Sequence, residues 1–456
     1  MENNKTVYIG IRCEDKSVWE RRVSLTPASV KKILQNNPNI KFIVQPSLRR
    51  AFSNSEYKQI GATISNDLSK CSLILGVKEV PETQFQPNTT YMIFSHTIKA
   101  QVASWPCLDE MLEKKVRLID YERIIDEKGN RLIAFGRYAG IAGALDSFVG
   151  LGKFLLHKGW NTPFLKIPQS FVYNNYKQAF ELLDKMTLQY SQPGYQLVPD
   201  ELCPMVFAIT GKGRCAQGCF EVLSRLPIRL VQPDELETIH KDKNDEAHKH
   251  VIYVTFIEEE QMVQPKDSSV KMTRADYYQN PENYEPIFFE KYFPYISLIH
   301  HNIYWEPKYP RLITNEQLKE YFEKNPNNSF LGVIDVTCDF EGSIQCLSKF
   351  TTPDEPFWTY NPITGEVRDG PTYYPGTILY QSLDFLPCQL AEDASEHFSS
   401  ILEDWIANIA NSDINIPLEE NNLLPQIQRA VITWNGDYTP DYQYIQELRK
   451  QAEQQQ

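Results

Sequence analysis

Lysine, histidine and carboxylates recur in this chain just after short apolar runs of strand character. Lys78 follows Leu-Ile-Leu-Gly-Val, His96 follows Tyr-Met-Ile-Phe-Ser, and Asp120, Tyr121 and Glu122 follow Val-Arg-Leu-Ile. Asp339 comes shortly after Gly-Val-Ile-Asp-Val. In an open parallel sheet, ligands bind outside the carboxyl ends of the strands, so these side chains share one edge if the runs pair. Lys, His and carboxylates gathered there have the chemistry to move protons on an amine or a carbonyl. Each alone also has an ordinary explanation, as a solvated lysine, a structural histidine or a turn-forming acid; recurrence at successive strand ends favours chemistry. The segment Glu20-Arg21-Arg22-Val23 adds a guanidinium fork whose planar geometry suits a substrate carboxylate. Which arginine turns inward is open in the sequence.

A second kind of site is written in residues 206–220. An apolar run, Val-Phe-Ala-Ile-Thr, enters a glycine-rich turn with Gly211, Gly213 and Gly218, spaced Gly-x-Gly-x4-Gly. Gly211 permits a tight turn, Gly213 lets backbone N–H groups approach a pyrophosphate, and Gly218 lets the following helix pack close to the strand. An ordinary strand-turn-helix connection is the competing reading of such a triplet. The next strand, 228–232, ends in the neutral amide of Gln232, and Lys212, Arg214, Arg225 and Arg229 lie within the unit. Those charges suit a ribose 2′-phosphate better than a 2′-hydroxyl, so NADP(H) is the expected cofactor. Solvated surface cations are the alternative.

Strand and helix patterns that position these residues alternate along the first part of the chain, with strands at 7–11, 41–44, 73–77, 91–94 and 116–119 and a helix at 27–34. Alternation of this kind predicts an α/β fold with a largely parallel sheet. Thr26-Pro27 opens the helix as N-cap and first-turn proline. Residues 138–156 read as a buried helix passing between domains. Residues 240–294 are polar, rich in Tyr and Pro, and read as an insertion in the nucleotide unit. Strands resume at 297–305 and 332–336, and helices follow from about 340.

Composition narrows the classes. The chain has 456 residues, 42% hydrophobic and 23% charged, enough for two or three cored domains. A net charge of −13 argues against nucleic acid. No uninterrupted apolar run reaches the roughly 20 residues that span a bilayer, so no membrane association is expected. Nine cysteines without paired-ligand spacing fit reduced thiols and no metal. An apparent strand begins at Val7, which favours the cytoplasm, with mitochondria the alternative if a presequence has been removed.

Ten sequence blocks in order carry a family resemblance. They include Trp-Glu-Arg-Arg-Val-Ser-Leu-Thr-Pro (19–27), Gln-Pro-Ser-Leu-Arg-Arg-Ala-Phe (45–52), Leu-Ile-Leu-Gly-Val-Lys (73–78), Phe-Ser-His-Thr-Ile-Lys-Ala-Gln (94–101) and Leu-Ile-Asp-Tyr-Glu (118–122). Asn-Ile-Tyr-Trp-Glu (302–306) and Ala-Val-Ile-Thr-Trp-Asn-Gly (430–436) follow. The chain resembles the lysine-ketoglutarate reductase half of aminoadipic semialdehyde synthases, and more remotely fungal saccharopine dehydrogenases and alanine dehydrogenases. The resemblance implies two Rossmann-like doubly wound domains with an interdomain cleft, one formed by 1–165 plus 340–456 and the other, nucleotide-binding, by 166–339. It implies condensation of L-lysine with 2-oxoglutarate and reduction by NADPH to saccharopine. Lys78 would be the main acid/base, His96 would handle a second proton or polarise the oxo oxygen, and Glu122 would tune Lys78 or receive the lysine amine. Arg22, Lys99 and Asp120 would bind substrate. Gly211, Lys212, Gly213, Arg214 and Gly218 would hold the cofactor, with Asp339 near its nicotinamide. A homo-oligomer, and a saccharopine dehydrogenase partner or fused half, are left open. The competing readings are an NAD-linked, lysine-forming saccharopine dehydrogenase, a smaller dehydrogenase of the alanine type, and a nucleotide-binding sensor without catalysis.

Overall fold

A computed structural model describes residues 5–192, 195–242 and 245–454. They form two compact units, Met1–Phe135 with Ala391–Gln456 and Gly136–Leu390.

The first unit is built on β1 (Val7–Ile11), β2 (Ile40–Val44), β3 (Thr63–Ile64), β4 (Leu73–Leu75), β5 (Thr90–Ile93) and β6 (Arg117–Asp120). They pair in parallel in the order β6-β5-β4-β1-β2-β3. Strand Val431–Trp434 closes the β6 side antiparallel. Strands β4, β5 and β6 are buried along their whole length, as a sheet covered on both faces requires. The register aligns Ile11 with Leu75, Leu75 with Met92 and Met92 with Ile119. That alignment brings the segments after β1, β4, β5 and β6 to one edge. Helix Pro27–Asn36 starts as its sequence predicts, Thr26 accepting from the Ser29 amide and Pro27 filling the first turn.

The second unit carries β7 (Val206–Thr210), β8 (Ile228–Leu230), β9 (Ile252–Ile257), the small hairpin β10 (Val263–Pro265) and β11 (Tyr284–Pro286), β12 (Leu298–His301), β13 (Gly332–Asp335), β14 (Phe357–Tyr360), β15 (Val367–Asp369) and β16 (Ile378–Gln381). The main sheet runs β15-β14-β16-β13-β12-β7-β9-β8. The order is that of a doubly wound nucleotide fold, 3-2-1-4-5-6, with the second and third strands exchanged. β8 is short and largely exposed, fit only for an edge, whereas β9 is buried almost throughout and takes the place beside β7.

These facts redraw three sequence expectations. β9 lies inside the expected 240–294 insertion and is a core strand, so the inserted material begins after it. The segment after 340 supplies β14, β15 and β16 to the second sheet before any long helix, and helix Gly136–His157 belongs to the second unit as well. The boundaries therefore fall at 135/136 and 390/391, because both segments bury their apolar faces in the second core. That helix is also long and apolar enough to cross a membrane, but 83% of its most apolar window is buried inside the protein. It is a core helix.

Gly218 has a different partner from the one expected. A Cβ there would lie 2.0 Å from the Arg137 carbonyl oxygen, and one at Gly140 would lie 1.9 Å from that of Cys215. The two glycines bring helix Arg214–Leu223 against helix Gly136–His157, and not against a strand. Arg137 fastens the same contact through Glu221, at 2.8 and 2.5 Å. Gly218→Ala is expected to destabilise the protein by about 1–3 kcal/mol or more, since backbone must yield on both sides. A urea titration with an unchanged midpoint would contradict this packing.

Candidate functional site

The carboxyl edge of the first sheet gathers Glu14, Glu20, Arg22, Lys78, His96, Asp120, Tyr121 and Glu122. Glu14, just beyond β1, is buried and accepts the amides of Val77 (2.7 Å) and Lys78 (3.0 Å). One carboxylate thus holds the turn that presents Lys78, itself half-buried. Burial pushes the Glu14 carboxyl up to about 7, against the opposing charge of Arg12 and the two amides. Lys78 also lies close enough to Glu20 to help hold that carboxylate below its usual range, although the chief lowering influence is Arg22.

Arg22, not Arg21, turns inward. It is 4% exposed, and its fork closes on Glu20, Nε at 2.8 Å and the terminal nitrogen at 2.6 Å. Its guanidinium lies 4.4 Å above the Phe135 ring. Phe94, Tyr121, Phe135 and Phe398 form an aromatic floor, with Tyr121 and Phe398 4.8 Å apart edge to face. The face of the guanidinium that sequence reasoning offered to a substrate carboxylate is therefore already engaged by an internal one.

Asp120 stands behind the edge. It is fully buried and accepts the Ser95 amide at 3.1 Å, the Ser95 hydroxyl and the Glu122 amide at 2.7 Å. Desolvation raises its carboxyl to about 6 in spite of those donors. A group so placed positions others, and this corrects the expectation that Asp120 touches substrate. The loop it anchors through Ser95 carries His96, which is exposed with φ +52°, a backbone state that favours glycine and stores strain at non-glycine residues. Lys99 is exposed on the same loop. Glu122 pairs with Arg131 at 3.2 Å.

Sequence reasoning missed Glu14 and the aromatic floor. Glu14 follows a strand as Lys78 does, and the same strand-end rule finds it. Tyr121 was noted only as a member of a trio; its buried hydroxyl has no hydrogen-bond partner among the described residues and lies near Glu14.

The second unit holds a cavity of about 360 Å³ beside the glycine turn, lined by Gly211, Lys212, Gly213, Glu259, Tyr277, Tyr278, Asn302, Trp305, Tyr309 and Ser343 among others. Gly211 has φ +75°, and its amide donates to the Ile257 carbonyl at 2.7 Å, tying the turn to the end of β9. Gly213 is the N-cap of helix Arg214–Leu223, no side chain caps it, and a Cβ there would meet nothing within 4 Å. Open helix amides in a glycine turn fit a pyrophosphate. Two buried polar atoms on the wall, Asn302 Oδ1 and Ser343 Oγ, lack partners among the described residues, which fits a polar ligand. Arg214 sits exposed in the first turn of that helix.

Asp339 is half-buried beyond β13 and receives the Gly342 amide on its carbonyl at 3.0 Å. Asp335 builds the turn before it, accepting the Thr337 and Cys338 amides and the Tyr380 hydroxyl. Cys215 and Cys219 pack into the helix contact, and burial raises both thiols, Cys215 to about 11.

Residues 10–142 match the alanine dehydrogenase/PNT N-terminal domain. The chain is 36% identical over 453 residues to the alpha-aminoadipic semialdehyde synthase of Arabidopsis thaliana, covering 97% of this chain and 41% of that protein. It is 35% identical over 457 residues to the mitochondrial alpha-aminoadipic semialdehyde synthase of Bos taurus, covering 98% and 48%. A saccharopine dehydrogenase (NAD(+), L-lysine-forming) of Schizosaccharomyces pombe is 25% identical over 410 residues, covering 87% of this chain and 91% of that one. The chain thus spans less than half the length of the two synthases. Among solved structures, an L-alanine dehydrogenase superposes with a TM-score of 0.60 at 14% identity, covering 98% of this chain and 99% of that one. A transhydrogenase from Sinorhizobium meliloti gives 0.51 at 13% identity, covering 95% and 100%. These two bear on the fold, an α/β architecture of two Rossmann-like units. The chain is thus similar over nearly its whole length to one part of the alpha-aminoadipic semialdehyde synthases and carries a match to the alanine dehydrogenase/PNT N-terminal domain.

Proposed function

We propose that this protein condenses L-lysine with 2-oxoglutarate and reduces the resulting imine to saccharopine, the lysine-ketoglutarate reductase reaction. The observation that carries the reading is the edge of the first sheet, where Glu14 holds the Lys78 turn beside the Glu20–Arg22 pair. Similarity over 97% of the chain to a named synthase of lysine metabolism supports it.

In this reading the ε-amine of lysine attacks the 2-oxo carbon, the carbinolamine loses water, and the imine is reduced. Lys78 takes the proton released on attack and returns it to the departing hydroxyl. His96, exposed on its strained loop, polarises the oxo oxygen or carries a second proton. Arg22, exchanging Glu20 for the substrate, and Lys99 meet the two carboxylates of 2-oxoglutarate, and Glu122, paired with Arg131, receives the lysine amine. Asp120 positions the His96 loop and the Glu122 amide. The turn shaped by Gly211 and Gly213 would hold the dinucleotide through the open amides that begin helix Arg214–Leu223, with Lys212 and Arg214 beside them, and Asp339 would lie near its nicotinamide. A bound reduced nicotinamide supplies hydride to the imine carbon.

The expectation of NADP(H) rested on Gln232 closing the strand beside the glycine turn, on the cations Lys212, Arg214, Arg225 and Arg229, and on the resemblance. β9 holds that place, so Gln232 carries no weight in the choice of cofactor. Oxidation of reduced nucleotide by the purified protein is expected only when L-lysine and 2-oxoglutarate are both present. Turnover with 2-oxoglutarate and ammonia alone would replace this reading with a simpler amino-acid dehydrogenase, and binding without turnover would revive the sensor.

A further inference from the structure

We infer that Glu258 and Glu259, at the carboxyl end of β9, select an adenosine ribose bearing a free 2′-hydroxyl, so that the protein prefers NAD(H) to NADP(H). The inference deepens the reductase reading and rests on the nucleotide cavity assigned there.

In doubly wound nucleotide folds the strand beside the glycine-turn strand ends in the residue that meets the ribose, a carboxylate for a hydroxyl and a cation for a 2′-phosphate. Here that strand is β9, which pairs with β7 over its length, from Val206 opposite Tyr253 to Thr210 opposite Ile257. Glu258 is the next residue. The Gly211 amide bonds to the Ile257 carbonyl at 2.7 Å, so the phosphate-binding turn and the acidic strand end are one connected piece.

Charge on this piece is set by the protein itself. Lys212 from the glycine turn and Arg274 both pair with Glu258, and Arg274 Nε also reaches Glu259 at 3.1 Å and Glu260 at 3.2 Å. Three carboxylates against two cations leave an excess of negative charge. A 2′-phosphate would bring about −1.5 to −2 more, and the two cations at this strand end, Lys212 and Arg274, are already committed to the glutamates. A ribose diol meets no such repulsion and finds acceptors. Glu259, with Tyr278 donating to it, lines the cavity together with Lys212, and Asn302 Oδ1 and Ser343 Oγ on the same wall, without partners among the described residues, point independently to a polar ligand there. Asn302 is itself 9% exposed. Two of the three arginines that suggested NADP(H) in the sequence are engaged elsewhere, Arg225 with Asp184 at 3.2 Å and Arg229 over the Tyr253 ring at 6.0 Å, while Arg214 lies in the first turn of the glycine-turn helix.

Titration of intrinsic fluorescence with NADH and NADPH, without substrates, tests this on the full chain. NADH is expected to bind at least about tenfold more tightly, because the extra phosphate charge is opposed at short range. The double variant Glu258→Gln with Glu259→Gln, which frees Lys212 and Arg274, is expected to move the ratio of the two affinities at least about tenfold towards NADPH. Tighter NADPH binding by the unaltered protein would overturn the inference while leaving the reductase reading intact. An unchanged ratio in the double variant would overturn it too. Failure of both nucleotides to bind would remove the nucleotide cavity, and the reductase reading with it.

Discussion

Lys78→Met is expected to reduce turnover about 10²- to 10⁴-fold, the range over which a positioned acid/base acts. Two proton transfers depend on Lys78 in the proposed sequence, one on attack and one on loss of water. Methionine keeps the apolar stem that lies half-buried beyond β4 and removes the amine. The amides of Val77 and Lys78 still reach Glu14, since those bonds are made by backbone. Nucleotide affinity and the urea midpoint are therefore expected to stay close to those of the parent, and the loss to appear in kcat. Turnover within a few-fold of the parent would remove Lys78 from the chemistry; a collapsed midpoint would assign it to structure instead.

Glu14→Gln is expected to change how stability depends on pH. Burial raises the Glu14 carboxyl from 4.5 to about 7. Below pH 4.5 the group is protonated in folded and unfolded chains alike and contributes no pH dependence. Between 4.5 and 7 the unfolded chain releases its proton first, so the folded state binds more protons and stability falls as pH rises. Above 7 the cost is complete, on the order of 3 kcal/mol for a shift of this size. Glutamine cannot ionise and lacks that slope. It also offers one acceptor where two amides need partners, so the variant is less stable than the parent in acid, and its deficit shrinks or reverses by pH 8. Urea midpoints at pH 4.5 and 8 check this. Parallel stability curves for parent and variant would show that Glu14 does not titrate in this range.

The strand-end rule made much of the first site legible. Lys78, His96 and Glu122 were readable because each closes an apolar run, and the register of β4, β5 and β6 does carry those ends to one edge. What the rule lacks is depth. Asp120 and Glu122 are neighbours in sequence, yet one is fully buried holding amides and the other reaches Arg131. Which acid of the trio Asp120, Tyr121 and Glu122 faces inward depends on turn geometry that no spacing encodes. Arg22 shows the same limit, its fork matched by a carboxylate two residues earlier.

In the second unit, strand pairing was the illegible part. Residues 228–230 and 252–257 both look like strands, and chain order suggests that the earlier one lies beside β7. The edge position falls instead to β8, which is short and exposed, while the nearly all-apolar β9 is buried beside β7. That exchange moved the cofactor argument from Gln232 to Glu258. Gly218 was recognised as a close-approach glycine, but its neighbour, the Arg137 carbonyl, lies on a helix far back in the sequence. Strands β14 to β16 went unread because their short runs are interrupted by turn residues after 340.

The most direct test of the central claim is the identity of the product. The purified protein, given L-lysine, 2-oxoglutarate and both reduced nucleotides, is expected to yield by mass spectrometry a single adduct of the two substrates, less one water and plus two hydrogens, in step with nucleotide oxidation. Oxidation that proceeds while lysine is recovered unchanged, with glutamate or a 2-hydroxy acid as product, would contradict the account.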